Sequence, residues 1–212
     1  MEGWVVPRFR FSESTGRYRA SSGRFLPFST VRSYLDRTLD GHARAISDLT
    51  EQLRDRTITL GQWERAMREE LKHLHIYSAT MAKGGTMQLS QADYGRIGRE
   101  LRDQYEYLRQ FADDIASSRQ PFDGRLASRA RLYAQSGRVS YHATERAEMQ
   151  VRGYDLEENV LAAAEHCSGC LAETARGPVP IGSLVPIGQR PCRTNDRCRI
   201  RYSNSRTGAV AA

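Results

Sequence analysis

The chain has 212 residues, a formal net charge of +7 and a mean hydropathy of −0.63. It is long enough to bury a hydrophobic core, and no apolar run approaches the ~18 residues that a membrane span needs. The first residues, MEGWVVPRFRF, lack the apolar segment of a secretory signal peptide. We therefore expect no membrane association and a reducing cytosol, where clustered cysteines bind metal more often than they form disulfides.

The positive charge is concentrated at the two ends of the chain. Residues 1–26 carry five arginines and two glutamates, and residues 186–212 carry six arginines and one aspartate. Such ends suggest contact with a polyanion or an acidic protein surface, and arginine suits phosphate and carboxylate equally. The arginine bias also arises without function in a GC-rich genome. The candidate contact residues are Arg8, Arg10, Arg17, Arg19, Arg24, Arg199 and Arg201.

The segment 1–28 has no helical period and is rich in Ser, Gly and Arg. It predicts an extended, peripheral, basic arm that becomes ordered against a partner. Apolar residues at three- and four-residue steps then predict a first helix, capped by Ser29 or Thr30 and ending near Arg56. A second helix is predicted from the N-cap Thr59 to the glycine stop at Gly84.

A third helix is predicted to begin after the N-cap Ser90 and to continue through Ser118. A fourth is predicted over residues 125–150, with Gly137 as a site for a kink or a break, and a last short one over residues 155–166. The fold class predicted is mainly α: an antiparallel helical bundle, an extended N-terminal arm and a small C-terminal cysteine-rich module. The predicted units are an arm 1–28, a bundle 29–166, a cysteine-rich module 167–202 and a tail 203–212.

All four cysteines of the chain lie within 32 residues near its end, at Cys167, Cys170, Cys192 and Cys198. A CxxC pair lets two thiolates reach one ion from a tight turn, and four thiolates close a tetrahedral structural zinc site. The second pair is spaced Cx5C instead of the usual CxxC, so Asp196 and His166 are alternative ligands. Free or disulfide-paired cysteines are the competing interpretation. The stretch CRIRY, beginning at Cys198, alternates like a short strand.

Other candidate catalytic groups are sparse. Glu70 and His73 match half of a di-iron motif without a second copy, and His75 cannot share a helix face with His73. Cys167 beside His166 is a weak candidate nucleophile. No HExxH, GxSxG or Walker sequence is present. The sequence therefore predicts that the protein is not an enzyme.

Several segments resemble a family of tailed-bacteriophage proteins described as head morphogenesis or minor head proteins. They are RIGRELRDQYEYLRQFADDIAS, RARLYAQSG, VLAAAEHCSGC, PVPIGSLVPIGQRPC and RCRIRY, within residues 25–202. The pattern of Gln104, Tyr105, Leu108 and Phe111 and the cysteine module are its most specific parts. The family's asparagine-cysteine-arginine-cysteine ending is here Asn195-Asp196-Arg197-Cys198, which leaves the ligand set open between Asp196 and Cys192.

The resemblance implies a non-enzymatic structural protein of the virion, located in the head, on the capsid or at the head–tail junction. It implies assembly in the host cytoplasm and contacts with capsid, portal or neighbouring subunits. We also expect a homo-oligomer, contact with packaged DNA and a structural zinc. The alternative is a zinc-bearing nucleic-acid-binding protein that uses its basic ends, for which binding must weaken steeply with salt.

Overall fold

A computed structural model of the chain describes residues 9–12, 15, 17–85, 88–161, 165–193 and 196–211. The protein is mainly helical and carries two small antiparallel sheets. Within the described residues, no helix is both long enough and apolar enough to cross a membrane.

The N-terminal sheet is formed by β1 (Phe9–Ser12), β2 (Arg17–Ala20) and β3 (Phe25–Leu26), in the order β1-β2-β3. Alternate side chains point inward, so that Phe9, Phe11 and Tyr18 are buried in the main core. The Tyr18 hydroxyl also donates to the Ala82 carbonyl oxygen at 2.6 Å. Within residues 1–28 the described part is extended, as predicted, but its predicted peripheral position is wrong, because three of its aromatic side chains enter the core. Residues 1–8 lie outside the described residues.

Three long helices follow: α1 (Phe28–Arg54), α2 (Leu60–Lys83) and α3 (Gln91–Ala116). Thr59 and Ser90 each form a capping box at the start of α2 and α3, as predicted. Gly84 ends α2 in the left-handed conformation, where its missing Cβ also lets the β1 backbone approach closely. The predicted cap of α1 is wrong, because Pro27 occupies the N-cap position without a side-chain hydrogen bond.

The predicted fourth helix is two helices, α4 (Gly124–Gln135) and α5 (Gly137–Val151), which separate at Ser136. A Cβ on Gly137 would lie 2.6 Å from Ser78 Oγ and 2.8 Å from side-chain carbons of Leu39 and Leu74. The glycine therefore lets α5 approach α1 and α2 closely.

The helices share one hydrophobic core. Helix α2 packs against α1, α3 and α5, and α1 also packs against α4. The largest fully buried side chains of this core include Leu35, Leu39, Trp63, Met67, Leu71 and Phe111. The apolar stripes of the first three helices therefore form the centre of this core.

The C-terminal part contains β4 (Leu156–Val160), α6 (Ser168–Ala175), β5 (Val179–Pro180), β6 (Arg199–Ser203) and β7 (Val210–Ala211). The strands form one antiparallel sheet in the order β5-β4-β6-β7. The predicted helix over residues 155–166 is wrong, because β4 occupies its first half. The predicted strand that begins after Cys198 is confirmed as β6, and the predicted tail supplies β7. We refer to residues 154–211 as the cysteine unit.

The cysteine unit packs against α5. Arg146 on α5 places its Nε 2.9 Å from Glu157 Oε2 on β4, and its Nη2 donates to the Leu184 carbonyl oxygen at 3.4 Å. Gly188 lies so close to α5 that an added Cβ would be 2.6 Å from Val139 Cγ2. The helices and the cysteine unit therefore meet through buried polar and apolar contacts along one face of α5.

Candidate metal centre

The four cysteines come from three places in the cysteine unit. Cys167 is the N-cap of α6, and its Sγ accepts a hydrogen bond from the Cys170 backbone N–H at 3.4 Å. Cys170 therefore lies one turn later on the same end of the helix. Cys192 lies in a turn between β5 and β6, and Cys198 directly precedes β6. The sheet brings the two sequence-distant cysteines back to the start of α6.

The distances between the sulfurs fit the binding of one shared metal ion. The Cys170 Sγ lies 3.5 Å from the Cys167 Sγ and 3.5 Å from the Cys192 Sγ. A second group joins Cys170 to Cys198 and Asp196, with all ligand atoms within 4.8 Å of one another. Zinc–sulfur bonds of about 2.3 Å in a regular tetrahedron give sulfur–sulfur separations of about 3.8 Å. A disulfide needs about 2.05 Å, and all four thiols are free here.

Asp196 lies inside the cluster and is 1% exposed. Its Oδ1 is 3.8 Å from the Cys170 Sγ and accepts the Cys198 backbone N–H at 3.2 Å. Its Oδ2 lies 3.6 Å from Arg190 Nε and has no hydrogen-bond partner among the described residues. Asp196 can therefore serve either as a ligand or as a buried carboxylate that orients Cys198. His166 does not belong to either described ligand group.

Arg190 compensates the buried negative charge beside the cysteines. Its side chain is fully buried, and it donates to Asn159 Oδ1 at 2.7 Å and to the Val185 carbonyl oxygen at 3.0 Å. Asn159 in turn donates to the Cys170 carbonyl oxygen and to Thr174 Oγ1 on α6. This polar network ties the loop that carries Cys192 to β4 and to α6. It links the segments that carry the ligands, and Arg190 Nη1 also lies 4.0 Å from the Cys170 Sγ.

The thiols differ in how readily they ionise. The hydrogen bond from the Cys170 backbone N–H lowers the pKa of Cys167 to about 7. Burial raises the pKa of Cys192 to about 11 and raises that of Cys170 further. Buried thiols resist ionisation unless a cation compensates their charge, and metal binding then releases their protons. The donor set of several thiols with one buried carboxylate fits a soft or borderline divalent ion such as zinc.

The predicted contact arginines separate into two groups. Arg10, Arg17 and Arg24 are exposed and Arg19 is partly exposed, all on the N-terminal sheet or its second hairpin. At the other end, Arg199 and Arg201 are both exposed, and Arg201 on β6 pairs with Glu158 on β4, with its Nε 3.0 Å from Glu158 Oε2. Arg8 lies outside the described residues. The two basic ends therefore present their charge differently.

The histidines predicted as weak catalytic candidates are not brought together with their expected partners. Glu70 Oε1 lies 2.7 Å from His42 Nδ1 on α1, and His73 is exposed. His75 is fully buried and contacts the hydroxyls of Ser140 at 2.7 Å and Ser136 at 3.1 Å. His42 follows the apolar stripe of α1, which is the signal that places it in the core.

Two polar contacts had no local signal in the sequence. Lys83 at the end of α2 pairs with Asp93 at 3.0 Å and with Glu148 at 2.8 Å, joining α2, α3 and α5. Arg190 and Asn159 are 31 positions apart, and only the folded sheet brings them together.

Comparison with protein-family models, with curated proteins and with solved structures finds no match for this chain.

Proposed function

We propose that the protein is a non-enzymatic structural subunit of a tailed-phage particle, associated with the head, the capsid or the head–tail junction. The observation that carries this proposal is the cysteine centre. Cys170 belongs to two groups of possible ligands, one with Cys167 and Cys192 and one with Asp196 and Cys198, and Arg190 Nε lies 3.6 Å from Asp196 Oδ2. Four protein ligands without an open position are typical of a structural zinc site.

A zinc ion held by Cys167, Cys170, Cys192 and Cys198 would stabilise the fold of the cysteine unit. The buried apolar core of the unit is small, and Met149 of α5 packs into it; its members in the unit are Cys170, Leu184, Ile187, Cys198, Ile200, Tyr202 and Ala211. Small units with limited cores commonly depend on a metal or on disulfides. The binding free energy of a structural zinc is then folding free energy.

The helices are proposed to form an antiparallel bundle that serves as the body of the subunit. Only residues 55–59 separate α1 from α2, and residues 84–90 separate α2 from α3. Short connections of this kind favour antiparallel neighbours. Helix α2 packs against both α1 and α3, which supports the same arrangement.

Contacts with other subunits would use exposed apolar side chains on the helices and on the cysteine unit. Tyr107 is 57% exposed on α3, and Leu171 is 50% exposed on α6. Aromatic and large aliphatic side chains are enriched in the buried centres of protein interfaces. Neighbouring copies, capsid subunits or a portal are the partners that the family resemblance suggests.

The decisive experiment is composition and metal analysis of assembled particles that contain this chain. We expect the protein in purified particles and about one zinc per chain in the isolated protein. Cys170→Ser should abolish metal binding and incorporation, because Cys170 belongs to both ligand groups. The matched control is Ser168→Ala, an exposed serine between the two cysteines of the CxxC. Particles that lack the native protein would contradict the structural role, and a folded metal-free protein would contradict the zinc site.

A second candidate function is that of a zinc-bearing nucleic-acid-binding protein acting outside particles. Exposed arginines on the N-terminal sheet favour it. In that case the native protein should bind DNA with a steep salt dependence and be absent from purified particles. A salt-independent association would remove this candidate.

A further inference from the structure

The outer face of the N-terminal sheet concentrates three arginines. In the antiparallel register Arg10 on β1 lies directly opposite Arg19 on β2, and Arg17 is two residues from Arg19 along the same strand. Because side chains alternate along a strand, all three point away from the core that buries Phe11 and Tyr18. We call Arg10, Arg17 and Arg19 the arginine face.

Charge on the arginine face is not neutralised within the described chain. None of its three guanidinium groups forms an ion pair with a described carboxylate, whereas Arg146 and Arg201 pair with Glu157 and Glu158. Like charges directly opposite each other in a sheet are destabilising. An external anion would therefore relieve a repulsion that the isolated protein retains.

Phe25 holds two of these arginines in place. Its ring lies 5.1 Å from the Arg17 guanidinium carbon and 4.2 Å from that of Arg19, and Phe25 itself is 45% exposed. Cation–π contacts of this geometry restrict the arginine side chains without using their N–H donors. Arg19 Nη1 donates to the Gly23 carbonyl oxygen at 3.3 Å. The other N–H donors of Arg17 and Arg19 have no partner among the described residues and can meet an incoming ligand at a reduced cost in side-chain entropy.

A shallow groove of about 380 Å³ follows the same face. Arg10 and Arg19 line it together with Phe9 and with Ala20, Ser21 and Gly23. The groove therefore offers a charged path across the sheet.

The composition of the face favours nucleic acid over an acidic protein. Protein interfaces have centres depleted in charge and rich in apolar side chains, and here Phe25 is the large exposed apolar side chain among the described residues of the sheet. Interfaces with nucleic acid are much more positively charged. We propose that the arginine face binds the phosphate backbone of duplex DNA without reading its sequence. This inference rests on the proposed structural role and names the residues for the contact with packaged DNA that is expected of such a subunit.

The test is a salt titration of DNA binding by the full chain. Fluorescence anisotropy would measure the affinity for a short duplex of random sequence over a range of salt concentrations. The variant Arg10→Gln/Arg17→Gln/Arg19→Gln removes the face. Each phosphate contact contributes about 0.9 to the slope of log affinity against log salt, so the loss of three contacts should reduce the slope by about 2.7.

A matched control removes the same formal charge from α3 through Arg99→Gln/Arg102→Gln/Arg109→Gln, three exposed arginines away from the sheet. The control should retain the native slope, and thermal unfolding should show both variants folded. Equal slopes for the native protein and the face variant, or an equal decrease in the control, would overturn the proposal. Because incorporation into particles is measured separately, a failure of the face leaves the structural role to be decided by its own experiment.

Discussion

Acidification tests the buried contact between α2 and α5. His75 on α2 is fully buried, and its two ring nitrogens lie within hydrogen-bond distance of Ser140 and Ser136. Burial, with a smaller contribution from His42, lowers the pKa of His75 to about 4. In the unfolded chain a histidine has a pKa of about 6.5. The folded protein therefore resists protonation of this ring.

The sign and the size of the effect follow from these two pKa values. Below about pH 6.5 the unfolded chain binds a proton that the folded protein does not bind, so stability decreases as the pH falls. The decrease is complete below the folded pKa of about 4. A difference of about 2.5 pKa units corresponds to about 3.4 kcal/mol, and about 2.5 kcal/mol of it is lost between about pH 7.5 and about pH 4.5.

Guanidinium unfolding of the native protein and of His75→Asn at both pH values measures this contribution. We expect the variant to be less stable at about pH 7.5, because it loses packing and hydrogen bonds, but to lose about 2.5 kcal/mol less on acidification. Metal release at low pH affects both proteins and cancels in the comparison. His73→Asn, an exposed histidine on the same helix, should behave as the native protein. An identical pH response of native protein and His75→Asn would refute the reasoning.

Four further substitutions, one of them a control, test other contacts by guanidinium unfolding at neutral pH. Gly137→Ala should destabilise by about 1–3 kcal/mol through overpacking, whereas Gly95→Ala, in open space on α3, should stabilise by about 0.5–1 kcal/mol; the opposite order would contradict the close approach of α5. Tyr18→Phe should cost about 1 kcal/mol through its bond to the Ala82 carbonyl, and no change would indicate a detached N-terminal sheet. Glu157→Gln should cost about 1–3 kcal/mol, since Arg146 loses its buried partner; an unchanged unfolding curve would refute that coupling.

The long helices were predictable because their signals are local. Apolar residues at three- and four-residue steps define α1, α2 and α3, and the caps Thr59, Ser90 and Gly84 lie within one turn of the ends they mark. The break between α4 and α5, which falls at Ser136, was also suggested by the adjacent Gly137. The need for a glycine at this position is not visible locally, because it comes from the close approach of other helices.

The strands were less predictable because their partners are distant. Residues 156–160 alternate in burial only when β4 pairs with β6, about 43 positions later. Read alone, the segment LEENV has the charge and leucine content of a helix end. The N-terminal strands are similarly defined by Tyr18 entering a core formed by α1 and α2. A pattern of alternating apolar and basic residues was visible there, but it does not specify what the apolar face covers.

The cysteine centre combines a local sequence signal with contacts between distant residues. The place of these contacts decides how a bound metal would act on the rest of the molecule. The CxxC at the start of α6 and the candidate ligand Asp196 were evident in the sequence, while Arg190 and Asn159 became part of the centre only through the fold. The same loop that carries Arg190 also places Gly188 against α5. This loop would then be held at one end by a metal bound to Cys192 and at the other end by the packing of Gly188 against α5. Loss of the metal should loosen the contact with α5 before it affects the core of the long helices, since that core contains no cysteine.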